Sequence, residues 1–336
     1  MLDVTRLRVL VAVARHGSVT AAARALNYAQ PSVSHHLARL EAETGTRLTQ
    51  RSGRGIRLTG AGRLLAERAE EVLGRLDAAE SELAAYVGQQ AERVRLAAFP
   101  VALATLVPAA AARLEAEHQD AGLALTEAEP DEAMRLLRSG RVDVALISQY
   151  IRQRENQQVL GEVPWPASTD DSQPALAPGD TSEGMWARLI LDEAVQLVTR
   201  APGAAPVAPG LPGASPHGAG QAEGSLAAYA HSRWIAGCKH CREHLVWQCA
   251  EAGFTPDIVI TTDDHVASQA LVAAGLGVTI LPTLALRAAR HPQVVAQPLP
   301  GTRHQVLAVT MGQPPSTSLG TALIELLAST ARAAGA

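Results

Sequence analysis

Three cysteines and two histidines crowd into GCKHCREHLVWQC, Gly237 to Cys249, and these residue types support three chemistries. Cys238 and Cys241 form a C-x2-C pair, and a thiolate at the start of a helix has a lowered pKa and reacts readily, which suits a redox switch. Cys238, Cys241, His244 and Cys249 are also zinc-ligand types, but ligands this close on one helix do not readily enclose a tetrahedron. The third reading is structural, with cysteines packed as small apolar groups. A second constellation lies in NYAQPSVSHHLARLE, Asn27 to Glu41. Gln30 can pair bidentately with adenine, and Ser32 or Ser34 can reach bases or phosphates. Arg51, Arg54 and Arg57 follow in RLTQRSGRGIRLT, suited to the phosphate backbone. Enzyme signatures are weak. GAGRLLA (Gly60 to Ala66) lacks the third glycine of a dinucleotide loop, and GASPHG (Gly213 to Gly218) is one residue too long for a nucleophile elbow.

The elements around the second constellation are helical. Leu7, Leu10, Val11 and Ala14 fall at helical spacing up to Gly17. Ser18 is a good N-cap for a second helix with Ala22, Ala23 and Leu26 inward. Pro31 suits the first turn of a third helix, where an N–H has no partner to lose. Val33, Leu37 and Leu40 form its buried stripe, leaving Ser32, His35, His36 and Arg39 outside. Two short helices and a tight turn describe a helix-turn-helix, and the hairpin after Gly45 reads as a basic wing. Residues 1–62 hold nine arginines and three acids, a charge of +6; with −4 overall, the remainder carries −10. A basic module on an acidic body favours a polyanionic partner.

These residues resemble the DNA-binding domain of LysR-type transcriptional regulators. The family pattern is matched by Ala22, Ala23, Leu26, Gln30, Pro31, Val33, Ser34, Leu37, Leu40 and Glu41, then by Gly45, Leu48, Arg51, Arg54, Leu58, Thr59, Ala61 and Gly62. Two residues depart from it. Ala29 stands where Ser or Thr is usual, and Thr49 where Phe is usual. The resemblance implies a winged helix-turn-helix over residues 1–58, with Ser18, Thr20, Gln30, Pro31, Ser32, Ser34, His35 and Arg39 facing double-stranded DNA at a pseudo-palindromic promoter or operator. Arg51, Arg54 and Arg57 would hold the backbone. His35 takes a place where the family often has a basic residue.

From Thr59 to Tyr86 no proline interrupts a helical run. Leu65, Ala69, Val72, Leu76, Ala79, Leu83 and Tyr86 alternate four and three apart, a heptad seam through which two copies could pair. In LysR-type proteins such a helix (here 59–88) links the domains and dimerises. The resemblance thus implies a homodimer or homotetramer, with Leu65, Ala69, Val72, Leu76 and Leu83 at the dimer contact.

From Arg93 onward, Val/Leu/Ile-rich runs alternate with helical stretches, as in α/β domains with mainly parallel sheets. The fold class is therefore α+β multidomain: a winged helix-turn-helix, a long linker helix and a two-lobed α/β body. The body resembles the family's effector domain, which is like a periplasmic binding protein. The expected lobes are about 93–150 plus 283–336, and 186–282. Insertions are expected at 161–184 and, Pro/Gly/Ala-rich, at 201–224.

Ligands of such domains sit at the carboxyl ends of strands, near helix N-termini. That points to Pro100, Val101 and Ala102, to Ser148 and Gln149, to Gly237 and Cys238, and to Asp263, Asp264 and His265. The first place lacks the Ser or Thr common in members that bind small carboxylates, with only Thr105 nearby, so the reading leans to a neutral or cationic effector of unknown identity. Asp263 and Asp264 either face that ligand or cap the next helix. Peroxide-sensing members of the family keep paired cysteines in a similar part of the domain, and Cys241 and Cys249 resemble that pair. No cofactor, resident metal, membrane segment or targeting segment is expected, and the protein reads as a cytoplasmic regulator rather than an enzyme. The alternatives are a redox-responsive regulator using Cys238, Cys241 and Cys249, or, from another class, a small-molecule-binding protein or enzyme.

Overall fold

The computed structural model describes residues 2–52, 55–86, 93–118, 122–152, 184–203, 226–312 and 318–335. Arg54 and almost all of the two expected insertions lie outside these residues. The chain divides into two compact units. One comprises Met1–Leu96, Asp120–Ala124 and Met134–Asp143; the other comprises Ala97–Gln119, Leu125–Ala133 and Val144–Ala336.

The first unit opens with α1 (Val4–His16), α2 (Val19–Ala25) and α3 (Gln30–Thr44). Each boundary has a local cause. Asp3 caps α1 by accepting from the Arg6 N–H, and Ser18 caps α2 by accepting from the Ala21 N–H. Gly17 and Gly45 end α1 and α3 in the left-handed region, at φ 66° and 65°, where a Cβ would be strained. Asn27, a non-glycine residue with positive φ (55°), makes the turn between α2 and α3, which an asparagine tolerates better than most. Leu10, Val33, Leu37, Leu40 and Leu48 share one buried core with Ala22 and Ala23. Burying each leucine side chain is worth about 1.5–3 kcal/mol.

The wing is a hairpin of β1 (Thr49–Ser52) and β2 (Gly55–Leu58), antiparallel with Thr49 opposite Leu58. Thr49 does not insert an apolar anchor. Instead the Glu41 carboxylate accepts from the Leu48 N–H, the Thr49 N–H and the Thr49 hydroxyl at 2.9–3.1 Å. The polar residue thus holds the wing by hydrogen bonds where an apolar one would use packing. The helix α4 (Gly60–Tyr86) follows, its start capped by the Thr59 hydroxyl accepting from the Gly62 N–H. Ala66, Ala69 and Leu73 join the module's core. At Gly74 the helix meets the turn at Ser139 and Gly140 so closely that an added Cβ would lie 1.2 Å from the Ser139 carbonyl oxygen.

The strand-rich part runs β3 (Arg93–Ala98), α5 (Pro100–Glu117), β4 (Gly122–Glu127), α6 (Pro130–Arg138) and β5 (Val144–Arg152). It resumes with β6 (Met185–Arg200), β7 (Arg233–Ala236), α7 (Lys239–Glu251), β8 (Asp257–Thr261) and α8 (His265–Ala273). It closes with β9 (Thr279–Pro282), α9 (Thr283–Ala288), β10 (Val294–Met311) and α10 (Leu319–Gly335). The strands do not divide into one sheet per expected lobe. One six-stranded sheet has the order β4-β3-β5-β10-β6-β9, and β7 pairs with β8 separately. The two long strands are the reason. β10 pairs antiparallel with β5 over Thr302–Val309 and with β6 from Val294 to Met311, and β6 pairs antiparallel with β9. The mainly parallel arrangement read from the alternation therefore holds for β7–β8, whereas antiparallel ladders join β5, β10, β6 and β9. Helix α5 begins at Pro100, because proline is accepted in a helix's first turn.

Candidate functional site

Two places carry the candidate functional side chains, and the first is α3. Its core residues Val33, Leu37 and Leu40 are buried, which turns Gln30, Pro31, Ser32, Ser34, His35 and Arg39 outward. Thr20 and Arg57 are exposed in the same unit. Ser18 is half-buried and its Oγ accepts one bond in capping α2, which leaves its hydroxyl proton and one lone pair for another partner. The two histidines separate. His35 is exposed, while His36 is half-buried with its ring 6.0 Å from that of Tyr28. Ala29 sits at the N-cap of α3 and makes no side-chain cap; the Ser32 N–H, which a Ser or Thr there would meet, donates instead to the Ala29 carbonyl at 3.0 Å. Arg51 lies on β1 opposite Ile56.

On α4 the expected seam splits. Ala69 is buried and Leu65 packs against the module's own core. Val72, Leu76 and Leu83 remain 47%, 40% and 63% exposed, and Leu64, absent from the heptad reading, is exposed too. A single apolar spacing thus serves two faces. Its first turns complete the module, and the later positions form an apolar stripe open to solvent.

The second place is the cleft of the larger unit. Gly237, Cys241, Thr262, Asp263, His265 and Ser268 line a recess together with Ile280 and Leu281, and it leaves room for roughly one water molecule. Of the residues expected at strand ends, Gly237, Asp263 and His265 meet here. Val101 and Ala102 do not offer side chains to a ligand. They lie in the first turn of α5 and are buried, at 6% and 0% exposure. Thr105 is occupied as well, its hydroxyl donating to the Val101 carbonyl at 2.6 Å. Asp264 caps α8, accepting from the Val266 and Ala267 N–H groups at 2.8 and 3.1 Å, so its charge is committed to the helix N-terminus. Pro100, Ser148 and Gln149 are half-buried, and the Gln149 side chain donates to that of Gln305 at 3.2 Å.

Charge around the cleft is acidic. Burial, then the carboxylates of Asp263, Glu127 and Asp131, push the Glu129 pKa up, against the pull of His240. His240 itself lies 3.4 Å from Asp131. The His265 pKa is lowered by burial and by His304, with Asp264 and Asp263 opposing.

Behind the recess lies a polar seam that the sequence reading did not single out. The Tyr150 ring stacks on His244, centroids 4.0 Å apart, and leans on His304 at 5.2 Å. His304 Nδ1 is 3.1 Å from Glu193 Oε1, which also accepts from the Leu284 N–H. His244 Nε2 is 3.3 Å from the Thr302 hydroxyl. Glu193, His244, Thr302 and His304 are all buried. Their spacing along the chain carries no motif, because β5, β6, β10 and α7 each contribute one or two of them. A polar residue breaking an apolar strand, such as Glu193 in β6, is the single signal available.

Among the described residues no group of three or more His, Cys, Asp or Glu side chains could hold a metal ion, and no helix is long and apolar enough to cross a membrane. The Cys238, Cys241, His244 and Cys249 set therefore does not converge as a zinc site.

Comparison with known proteins agrees with this geometry. The chain is 31% identical over 147 residues to an uncharacterized HTH-type transcriptional regulator, YvbU of Bacillus subtilis, covering 44% of this chain and 50% of that protein. A probable cat1 operon transcriptional activator of Acinetobacter lwoffii is 31% identical over 143 residues, 43% of this chain and 47% of that one. The chain spans about half the length of the curated relatives it matches. The crystal structure of CbnR, a LysR family transcriptional regulator, shares the fold at a TM-score of 0.58 and 20% identity, over 98% of this chain and 99% of that one. The family profile described as bacterial regulatory helix-turn-helix protein, lysR family, matches residues 4–63. That of the LysR substrate binding domain matches residues 88–176 and 205–333. With the helix-turn-helix and the ligand-binding body both matched, this chain belongs to the LysR family.

Proposed function

We propose that this protein is a sequence-specific DNA-binding transcriptional regulator, controlled by a small molecule bound in the cleft of its larger unit. The observation that carries the reading is the outer face of α3, where Gln30, Ser32, Ser34, His35 and Arg39 stand exposed over a buried Val33–Leu37–Leu40 stripe. A helix held this way by a small core presents hydrogen-bonding side chains to base edges in a major groove. Arg51, Arg54 and Arg57 of the wing supply phosphate contacts. The exposed Val72, Leu76 and Leu83 stripe supports pairing of two copies, and hence a pseudo-palindromic operator in the cytoplasm. The acids around the recess support a neutral or cationic effector over an anion. No catalytic step is part of this reading.

The test is a gel shift of the full chain on the DNA upstream of its own gene, repeated as salt is raised. Binding should weaken linearly in log affinity against log salt, because each neutralised phosphate releases counterions. Absence of binding at every salt concentration overturns the reading.

A further inference from the structure

The three thiols are not equivalent, and their placement assigns them different chemistry. Cys238 is the N-cap residue of α7 and Cys241 lies in its first turn, with their sulfur atoms 3.1 Å apart. Both are half-buried, whereas Cys249 is fully buried at the far end of the same helix. Cys241 and Cys249 are eight residues apart on a continuous helix, about 12 Å along its axis at 1.5 Å per residue. A bond between them would require α7 to unwind. A bond between Cys238 and Cys241 requires the sulfurs to close from 3.1 Å to about 2.05 Å, within reach of side-chain rotation.

We propose that Cys238 and Cys241 are a reversible dithiol–disulfide pair, oxidised by a hydroperoxide that reaches Cys241 through the recess at the start of α7. Cys241 is the attacking sulfur. It lines the recess, and it accepts hydrogen bonds from the Cys238 thiol and from the Tyr150 hydroxyl at 3.6 Å. Those two bonds, the Cys238 one foremost, lower the Cys241 pKa against the effect of burial, while Cys238 is raised by the same contact. Burial pushes Cys249 up to about 12, which keeps it a thiol. Gly237 leaves the sulfur room, since a Cβ there would sit 3.1 Å from the Cys241 Cβ and 3.4 Å from its Sγ.

The chemistry balances. The Cys241 thiolate attacks one peroxide oxygen, forming S–O and breaking O–O, and the alkoxide or hydroxide leaves with a proton. The Cys238 sulfur then attacks the Cys241 sulfur, forming S–S and breaking S–O, and hydroxide leaves as water with the Cys238 proton. Two thiols lose two electrons and the hydroperoxide gains them. The step also turns the acceptor of the Tyr150 hydroxyl from a thiolate into a weaker, neutral disulfide sulfur, and the Tyr150 ring is stacked on His244 and leans on His304. Oxidation therefore reaches the buried seam behind the cleft. None of this depends on DNA binding.

The test treats the reduced full chain with one to two equivalents of hydrogen peroxide, then alkylates and maps it by peptide mass spectrometry. Two of the three thiols should disappear, as one intrachain link between Cys238 and Cys241 that dithiothreitol reverses, with Cys249 still alkylated. Cys249→Ser should leave that loss unchanged, and Cys238→Ser should leave a dimedone-trappable sulfenic acid on Cys241. Three alkylated cysteines after peroxide, a link involving Cys249, or the sulfenic acid on Cys238 would each overturn the proposal. Mapping of the unmutated chain decides the matter even if a variant fails to fold, and the gel shift is a separate readout.

Discussion

The helical module and the cleft unit bury different kinds of groups, and the difference shows how each is specified. The core shared by α1, α2, α3 and the start of α4 is built from Leu, Val and Ala, and its polar residues face outward. The cleft unit encloses Glu193, His244, Gln248, Gln269, Thr279, Thr302 and His304. An apolar core asks only for bulk at the right helical spacing, so a short stretch of sequence defines it. A buried polar seam needs each group to meet a partner with good geometry, and here the partners lie far apart. His304 and Glu193 are 111 residues apart, Tyr150 and Cys241 91, and Thr302 and His244 58. The module is built to present polar groups to the outside, and the cleft unit to order them within.

Three substitutions can break or sharpen that contrast. The largest effect belongs to the apolar core: Leu40→Ala removes a fully buried side chain and should destabilise the module by about 2–5 kcal/mol. Chemical denaturation followed by α-helical circular dichroism measures it, and a cost below about 1 kcal/mol would mean that this core is not close-packed. Next comes the polar seam. His304→Leu keeps the volume but takes away one of the two partners of Glu193 Oε1, leaving only the Leu284 N–H, while Oε2 already has no partner among the described residues. It should cost about 1–3 kcal/mol, the penalty for a buried carboxyl group that loses a hydrogen-bond partner, even though leucine is the more apolar residue. An unchanged or raised melting temperature would erase the contrast between the two cores. The smallest effect is a gain: Ala29→Ser supplies the missing cap of α3 and should add about 0.5–1 kcal/mol, read as an upward shift in the module's unfolding midpoint.

The module was legible almost residue by residue. Its three helices, the proline start of α3, the wing and the outward set of Gln30, Ser32, Ser34, His35 and Arg39 all follow from periodicity and capping, which act over a few residues. Even there, Thr49 misleads: it stands where an apolar residue is usual, yet Glu41 holds it through its N–H and its hydroxyl and also accepts from the Leu48 N–H. The seam on α4 was half legible, because one heptad spacing cannot say that Leu65 and Ala69 turn inward while Val72 and Leu76 do not. In the cleft unit the elements were mostly found. Their pairing was not, since alternation of strands and helices suggested parallel ladders and the long strands β6 and β10 formed antiparallel ones.

The sequence by itself determined the family, the helix-turn-helix, the surface it turns outward and the existence of an α/β body. Those properties depend on side-chain period, glycine and proline placement and charge, all of which are local. Tertiary structure alone decided which residues line the recess, that Asp264 caps a helix while Asp263 faces the cleft, and that Val101 and Ala102 are core. It also decided that Cys238, rather than Cys249, lies against Cys241. The three cysteines stand on one short stretch whichever pair can react. Only a helix with a fixed rise, beginning between Cys238 and Cys241, brings one pair within bonding distance and holds the other two turns apart.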